Sequence, residues 1–140
     1  MISFTPECIT RQKAMHPAHA LHILVTDKNH HVRDLLVREL DREGHVTYNV
    51  SSCTSAYSHI LSGVRLDVVI LDPEIFGPEH LDLLRKIVHG IPAKTIILHA
   101  FSDLIRIPKS MDNLLFIAKD AESIHTIKHT IATLQPEQGS

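Results

Sequence analysis

The strongest constraint on the fold is the stretch Leu66–Asp72, "LDVVILD". Its core, Val68–Leu71, is four apolar residues with no polar alternation. That suits a strand covered on both faces, because a half-exposed strand alternates apolar and polar side chains. Three more runs are built alike: "LHILVTD" from Leu21, "AKTIILHA" from Ala93 and "LLFIAKD" from Leu114. A fifth segment, "HVTYNV" from His45, alternates and is rich in β-formers.

Helical periods fill the intervals. Val32, Leu35, Leu36 and Leu40 recur at helical spacing, and "DREGH" closes that helix with Gly44 as its C-terminal cap. "TSAYSHILSG" reads as a short helix with Thr54 at its N-cap and Gly63 as its stop. Leu81, Leu84, Ile87 and Val88 share a face ahead of Gly90, and Ile124, Ile127, Ile131 and Leu134 share another. In "FSDLIRIPKSMDN", Pro108 limits any helix to a turn or two.

Five strands alternating with helices through short connections imply right-handed crossovers and a parallel sheet between helical layers. The expected class is therefore α/β. In such sheets the working groups lie beyond the carboxyl ends of the strands. That rule selects Asp27, Asp72 and Lys119, which follow the first, third and fifth strands. Each alone is ordinary, since Asp often caps a helix and Lys often lies on the surface. Two carboxylates and an ammonium converging on one sheet edge form a specific constellation.

The 140 residues suit one domain, expected over 20–135, with 1–19 as a leader or arm and 136–140 as a polar tail. A formal net charge of −2 at pH 7 gives no electrostatic case for nucleic acid or an anionic membrane. No segment has the length and apolarity of a membrane span, and Met1–Thr10 lacks the pattern of a signal peptide. Cys8 and Cys53 have no metal-like or CxxC spacing, so a reducing, cytoplasmic setting is expected. Of the twelve histidines, His16, His19 and His22 are spaced by threes and His125 and His129 by four. No Cys, Asp or Glu completes either group, so solvent-facing side chains are expected rather than a metal site.

Carried on these residues, the sequence resembles the receiver domain of bacterial response regulators, from Leu21 to about Leu134. "DVVILD" places Asp72 where receivers hold the phosphoaccepting aspartate. Leu81-Asp82-Leu83-Leu84 opens the following helix as the family does. Lys119 in "FIAKD" occupies the place of the phosphoryl-gripping lysine, Phe116 that of the aromatic switch residue, and Asp27 that of the first acid after strand one. The resemblance implies a flavodoxin-like (βα)5 three-layer sandwich with strand order 2-1-3-4-5. It also implies a phosphoacceptor rather than an enzyme, with no catalytic residues of its own. Its partners would be a histidine kinase or phosphotransfer protein, and a downstream protein or fused output domain. A homodimer is a further expectation.

The sequence also departs from the family. The second acid after strand one is Lys28, and the Thr or Ser ending strand four is His99. The proline after the fifth-strand lysine is Asp120, the proline four residues after the acceptor is Phe76, and the glycine ahead of the third helix is His80. The metal ligands implied are Asp27, Asp72 and Glu74, with Mg²⁺ binding weak or absent because of Lys28. An ammonium about 5 Å from a cation repels it by roughly 3 kcal/mol per unit charge at an effective dielectric of about 20. Lys28 either pairs with Asp27 or Asp72, replacing part of the metal's role, or swings out to solvent. His99 is expected to contact the phosphoryl group alongside Lys119, with a pKa raised by the nearby carboxylates. A phosphate-independent interaction module is the alternative function.

Enzymatic readings lack their motifs. Small phosphatases of similar architecture need an arginine six residues after the cysteine, and Cys53 is followed there by His59. "DKNHHV" does not supply the acid–histidine–glycine pattern of cobalamin modules, and no glycine-rich phosphate cradle is present.

Overall fold

A computed structural model describes residues 20–90, 95–101 and 113–134. The expected leader and tail, and Pro108 with its neighbours, lie outside the described residues. The elements run β1 (His22–Thr26), α1 (His30–Arg42), β2 (Val46–Val50), α2 (Cys53–Leu61) and β3 (Val68–Leu71). They continue with α3 (Leu81–Gly90), β4 (Thr95–Ala100), β5 (Leu114–Ala118) and α4 (Ser123–Thr133). Two single-turn 3₁₀ segments, Pro73–Ile75 and Pro78–His80, link β3 to α3. All strand pairs are parallel, and the sheet order is β2-β1-β3-β4-β5.

The continuous apolar runs are explained by two cores, one on each face of the sheet. Alternate residues of a strand point to opposite sides. Leu24, Val69, Leu71, Ile96 and Leu98 pack against Cys53 and Ile60 of α2 and Leu84, Ile87 and Val88 of α3. Ile23, Val25, Val68, Ile70 and Ile97 pack against Leu36 and Leu40 of α1 and Ile127 and Ile131 of α4. Both edge strands, β2 and β5, are only partly covered. Deleting one of these fully buried side chains to alanine typically costs about 2–5 kcal/mol.

Helix ends mostly follow the sequence. Gly44 follows α1 with φ +94° and Gly63 follows α2 with φ +83°, a backbone region that favours glycine. The N-cap of α2 is a correction: it is Ser52, whose hydroxyl accepts from the Ser55 N–H at 3.1 Å, while Thr54 lies inside the helix. Both residues suit a cap, and the helix begins one turn-fraction earlier because Cys53 and Ala56 are both buried. His125 and His129 are exposed on α4, as expected. Among the described residues no helix is long and apolar enough to cross a membrane.

Candidate functional site

Strand polarity brings the three selected residues to one edge. Asp27 follows β1, Asp72 follows β3, and both are fully buried. Lys119 follows β5, and its backbone N–H donates to Ala100 O at 2.7 Å, holding it to the end of β4. From there its ammonium crosses to Asp72 Oδ2 at 2.9 Å and to Asp27, 3.2 Å from Oδ1 and 3.1 Å from Oδ2. Backbone donors complete the cradle. Lys28 N–H donates to Asp72 Oδ2 at 2.8 Å, Glu74 N–H to Asp72 Oδ1 at 2.9 Å, and Asn29 N–H to Asp27 Oδ1 at 2.9 Å. Asn29 itself caps α1 by accepting from the N–H groups of His31 and Val32.

The charges are mutually dependent. Burial lifts the Asp27 carboxyl above the usual range, and the neighbouring Asp72 charge adds to that. The Asn29 N–H and Lys119 pull the other way without reversing it. Burial works against the charged form of Lys119, but its bonds to Asp72 and Asp27 outweigh this and raise its pKa. One ammonium therefore serves two buried carboxylates.

No protein-family model matches the chain, and no curated protein matches it in sequence. Solved structures do. The response regulator TrrA from Thermotoga maritima in complex with Mg²⁺-BeF is 26% identical, with a TM-score of 0.64 over 81% of this chain and 99% of that one. TrrA in complex with the histidine kinase ThkA matches at the same identity and coverage, with a TM-score of 0.58. A response regulator receiver protein from Sinorhizobium medicae is 19% identical, with a TM-score of 0.61 over 81% of this chain and 93% of that one. The chain has the fold of response regulator receiver domains. The strand order is the one the resemblance implied.

The alternatives for Lys28 resolve in favour of solvent. Its side chain is 70% exposed, and its ammonium stands 4.0 Å from Glu74 Oε1 at the rim. Such an exposed pair contributes little. The pocket thus uses the Lys28 backbone and leaves its side chain outside. The hollow above is lined by Lys28, Asn29, Val32, Glu74, Phe101 and Lys119. Phe101 is 71% exposed, with its ring centroid 5.3 Å from the Lys119 ammonium.

The fold implies Mg²⁺ at this edge, and the donors present do not make a site for it. Mg²⁺ requires near-octahedral oxygen ligands. The Lys119 ammonium stands against both Asp72 Oδ2 and Asp27, where a cation bridging the two carboxylates would sit. Asp27 Oδ2 has no hydrogen-bond partner among the described residues, but the Lys119 ammonium already lies against it. The Glu74 carboxylate faces Lys28 instead. Among the described residues no three His, Cys, Asp or Glu side chains come together to hold a metal.

His99 corrects an expectation. Its pKa is pushed down to about 4, first by burial and then by the Lys119 charge, which together outweigh Asp72 and Asp120. Proximity to carboxylates predicted a rise, but a ring this deeply enclosed is penalised for charging. Its Nε2 pairs with Ser123 Oγ at 2.8 Å, and its Nδ1 stands 3.7 Å from Asp27 Oδ2. Phe116 lies on β5 opposite Leu98 and is 48% exposed.

Several residues of this edge were not selected from sequence. Thr26 bonds across to β3, and Ser123 receives His99 and also donates to Asp120 O at 3.1 Å. Arg33 Nη1 donates to Asp27 O at 2.8 Å. A hydroxyl inside an apolar run, as at Thr26, was the available signal. Ser123 and Arg33 carried none, since each acts through a contact made only in three dimensions.

Proposed function

We propose that this receiver works in two-component signalling in the cytoplasm, with Asp72 accepting a phosphoryl group from a histidine kinase or phosphotransfer protein. What carries the reading is Asp72 itself: a buried carboxylate at the end of β3 with a lysine ammonium at 2.9 Å and two backbone N–H groups around it. The complex of a similar receiver with its histidine kinase supports the partner class. Oδ1 of Asp72 accepts only the Glu74 N–H among the described residues, so it retains a lone pair for attack. That oxygen forms the new P–O bond while the P–N bond of the donor phosphohistidine breaks. The donor imidazole keeps the electron pair and takes a proton from solvent. Lys119 offsets negative charge as it builds on the transferring group, and the Lys28 N–H holds Asp72 Oδ2 in place. Lys119, 2.9 Å from Asp72 Oδ2, is the contact to the phosphoryl group, whereas the His99 Nε2 is committed to Ser123. The chain is an acceptor rather than a turnover enzyme, and the exposed face around Phe116 passes the change to a downstream protein.

A second reading, a phosphate-independent interaction module, is favoured by one observation: Lys119 already bridges the two carboxylates, and no metal-ligand set stands there among the described residues. Incubation with a small acyl phosphate and Mg²⁺, followed by mass spectrometry, separates the two. The first reading expects a mass gain of one phosphoryl group that Asp72→Asn abolishes. A folded wild-type chain that gains none gives the function to the second. Mg²⁺ alone at millimolar concentration is expected to produce no saturable NMR shift at Asp27 or Asp72.

A further inference from the structure

β1 and β3 pair in register from Ile23–Val68 to Val25–Ile70. By the same offset Thr26 faces Leu71 and Asp27 faces Asp72. In a regular parallel ladder the C=O of residue 70 and the N–H of residue 72 would be taken by the backbone of the residue facing Leu71. The β1–β3 register ends at Val25–Ile70, and the Asp72 N–H beyond it goes to a side chain. The buried Thr26 hydroxyl donates to Ile70 O at 2.9 Å and accepts from the Asp72 N–H at 3.0 Å. One hydroxyl thus bridges the last paired carbonyl of β3 and the Asp72 N–H just beyond it.

We propose that Thr26 is a positioning residue for the acceptor. Its inserted hydroxyl sets the spacing of the strand ends, and so where the Asp72 carboxylate stands relative to Asp27 and Lys119. This role rests on Asp72 being the acceptor. Direct backbone pairing would close the strands to their usual separation of about 4.8 Å and draw the two carboxylates together. The hydroxyl proton is committed to Ile70 O, which aims a lone pair at the Asp72 N–H and fixes that residue's backbone. Valine matches threonine in shape but supplies neither partner. It leaves the Asp72 N–H without its acceptor or lets the strand ends close on each other, and both move Asp72.

The test compares Thr26→Val, Thr26→Ser and Thr26→Cys in the full chain. The readouts are the Asp72 amide and ¹³Cγ resonances and the rate of Asp72 adduct formation from a small acyl phosphate. The valine variant is expected to displace both resonances and slow adduct formation on the order of 10- to 100-fold. Serine restores both, and cysteine, with its longer bonds and weaker donor, falls between. If valine lowers only the melting temperature and leaves resonances and rate unchanged, Thr26 is a strand clamp and the proposal is wrong. Should valine prevent folding, unmoved Asp72 resonances in the cysteine variant would equally overturn it. A wild-type chain that forms no adduct defeats the acceptor reading alone, and the resonances still decide the role of Thr26.

Discussion

Two buried aspartates bracket β3, Asp67 before it and Asp72 after it, and their surroundings differ in kind. Asp67 Oδ2 accepts the His22 N–H at 2.8 Å and lies 3.2 Å from Arg65 Nη2, two residues away in sequence. Its own N–H donates to His22 O at 2.8 Å, so the starts of β1 and β3 are pinned by a reciprocal pair. Its counter-ion is private and half in water. Asp72 instead shares one buried ammonium with Asp27, while Asp27 Oδ2 and His99 Nδ1 have no hydrogen bond among the described residues. The amino end of the sheet is closed chemically; the carboxyl end keeps unspent electrostatic tension, which a reacting group can relieve.

The largest test of that contrast removes the shared cation. Lys119→Met leaves two buried carboxylates uncompensated, and urea denaturation at neutral pH should show a loss of about 3–5 kcal/mol. The loss should shrink in acid as the carboxylates take protons; a loss independent of pH would mean the lysine acts by packing. Next comes His99, whose native pKa of about 4 lies below its ordinary 6.5. As pH falls from 6.5 towards 4 the unfolded chain binds a proton that the native ring refuses, so stability declines over that window and the contribution levels off below it. The shift corresponds to about 3 kcal/mol. The raised Asp27 works in the opposite sense in acid, so the measurement is the difference between wild type and His99→Gln, whose slope should be flatter. Equal slopes would remove His99 from the account.

At the other end of β3, Asp67→Ala should cost about 1–3 kcal/mol by unpairing the His22 N–H. Adduct formation at Asp72 should be untouched, and a reduced adduct yield would mean the two ends are coupled. The smallest effect has the reverse sign. Because burial raises the Asp27 pKa, that group favours the folded state below its unfolded pKa of 3.8 and loses this contribution as pH rises through its native value. Asp27→Asn should therefore raise the melting temperature at neutral pH. A fall would show that the bond to Lys119 outweighs burial.

Much of the sheet was legible because buried parallel strands leave continuous apolar runs, and their ends nominate Asp27, Asp72 and Lys119 with no other information. What was illegible depends on direction rather than pattern. Lys28 follows Asp27, yet whether its ammonium enters the pocket is set by the turn that aims its backbone N–H at Asp72 instead. Asp67 reads as a polar strand start, and only the register of β1 against β3 gives it a partner. The His99 charge state depends on how completely the ring is enclosed, which a strand-end position does not reveal. Thr54 and Ser52 are equally good caps on paper, and packing of Cys53 chose between them.

The Lys119–Asp27 contact spans 92 positions of the chain. A polypeptide made from its amino end presents Asp27 and Asp72 long before β5 exists. Until that strand docks, the central strands carry two carboxylates with no cation between them, and closing the sheet there is opposed by their repulsion. Arrival of β5 supplies the edge strand and the neutralising charge in one event. Completion of the pocket is thereby tied to the docking of the sheet's edge strand.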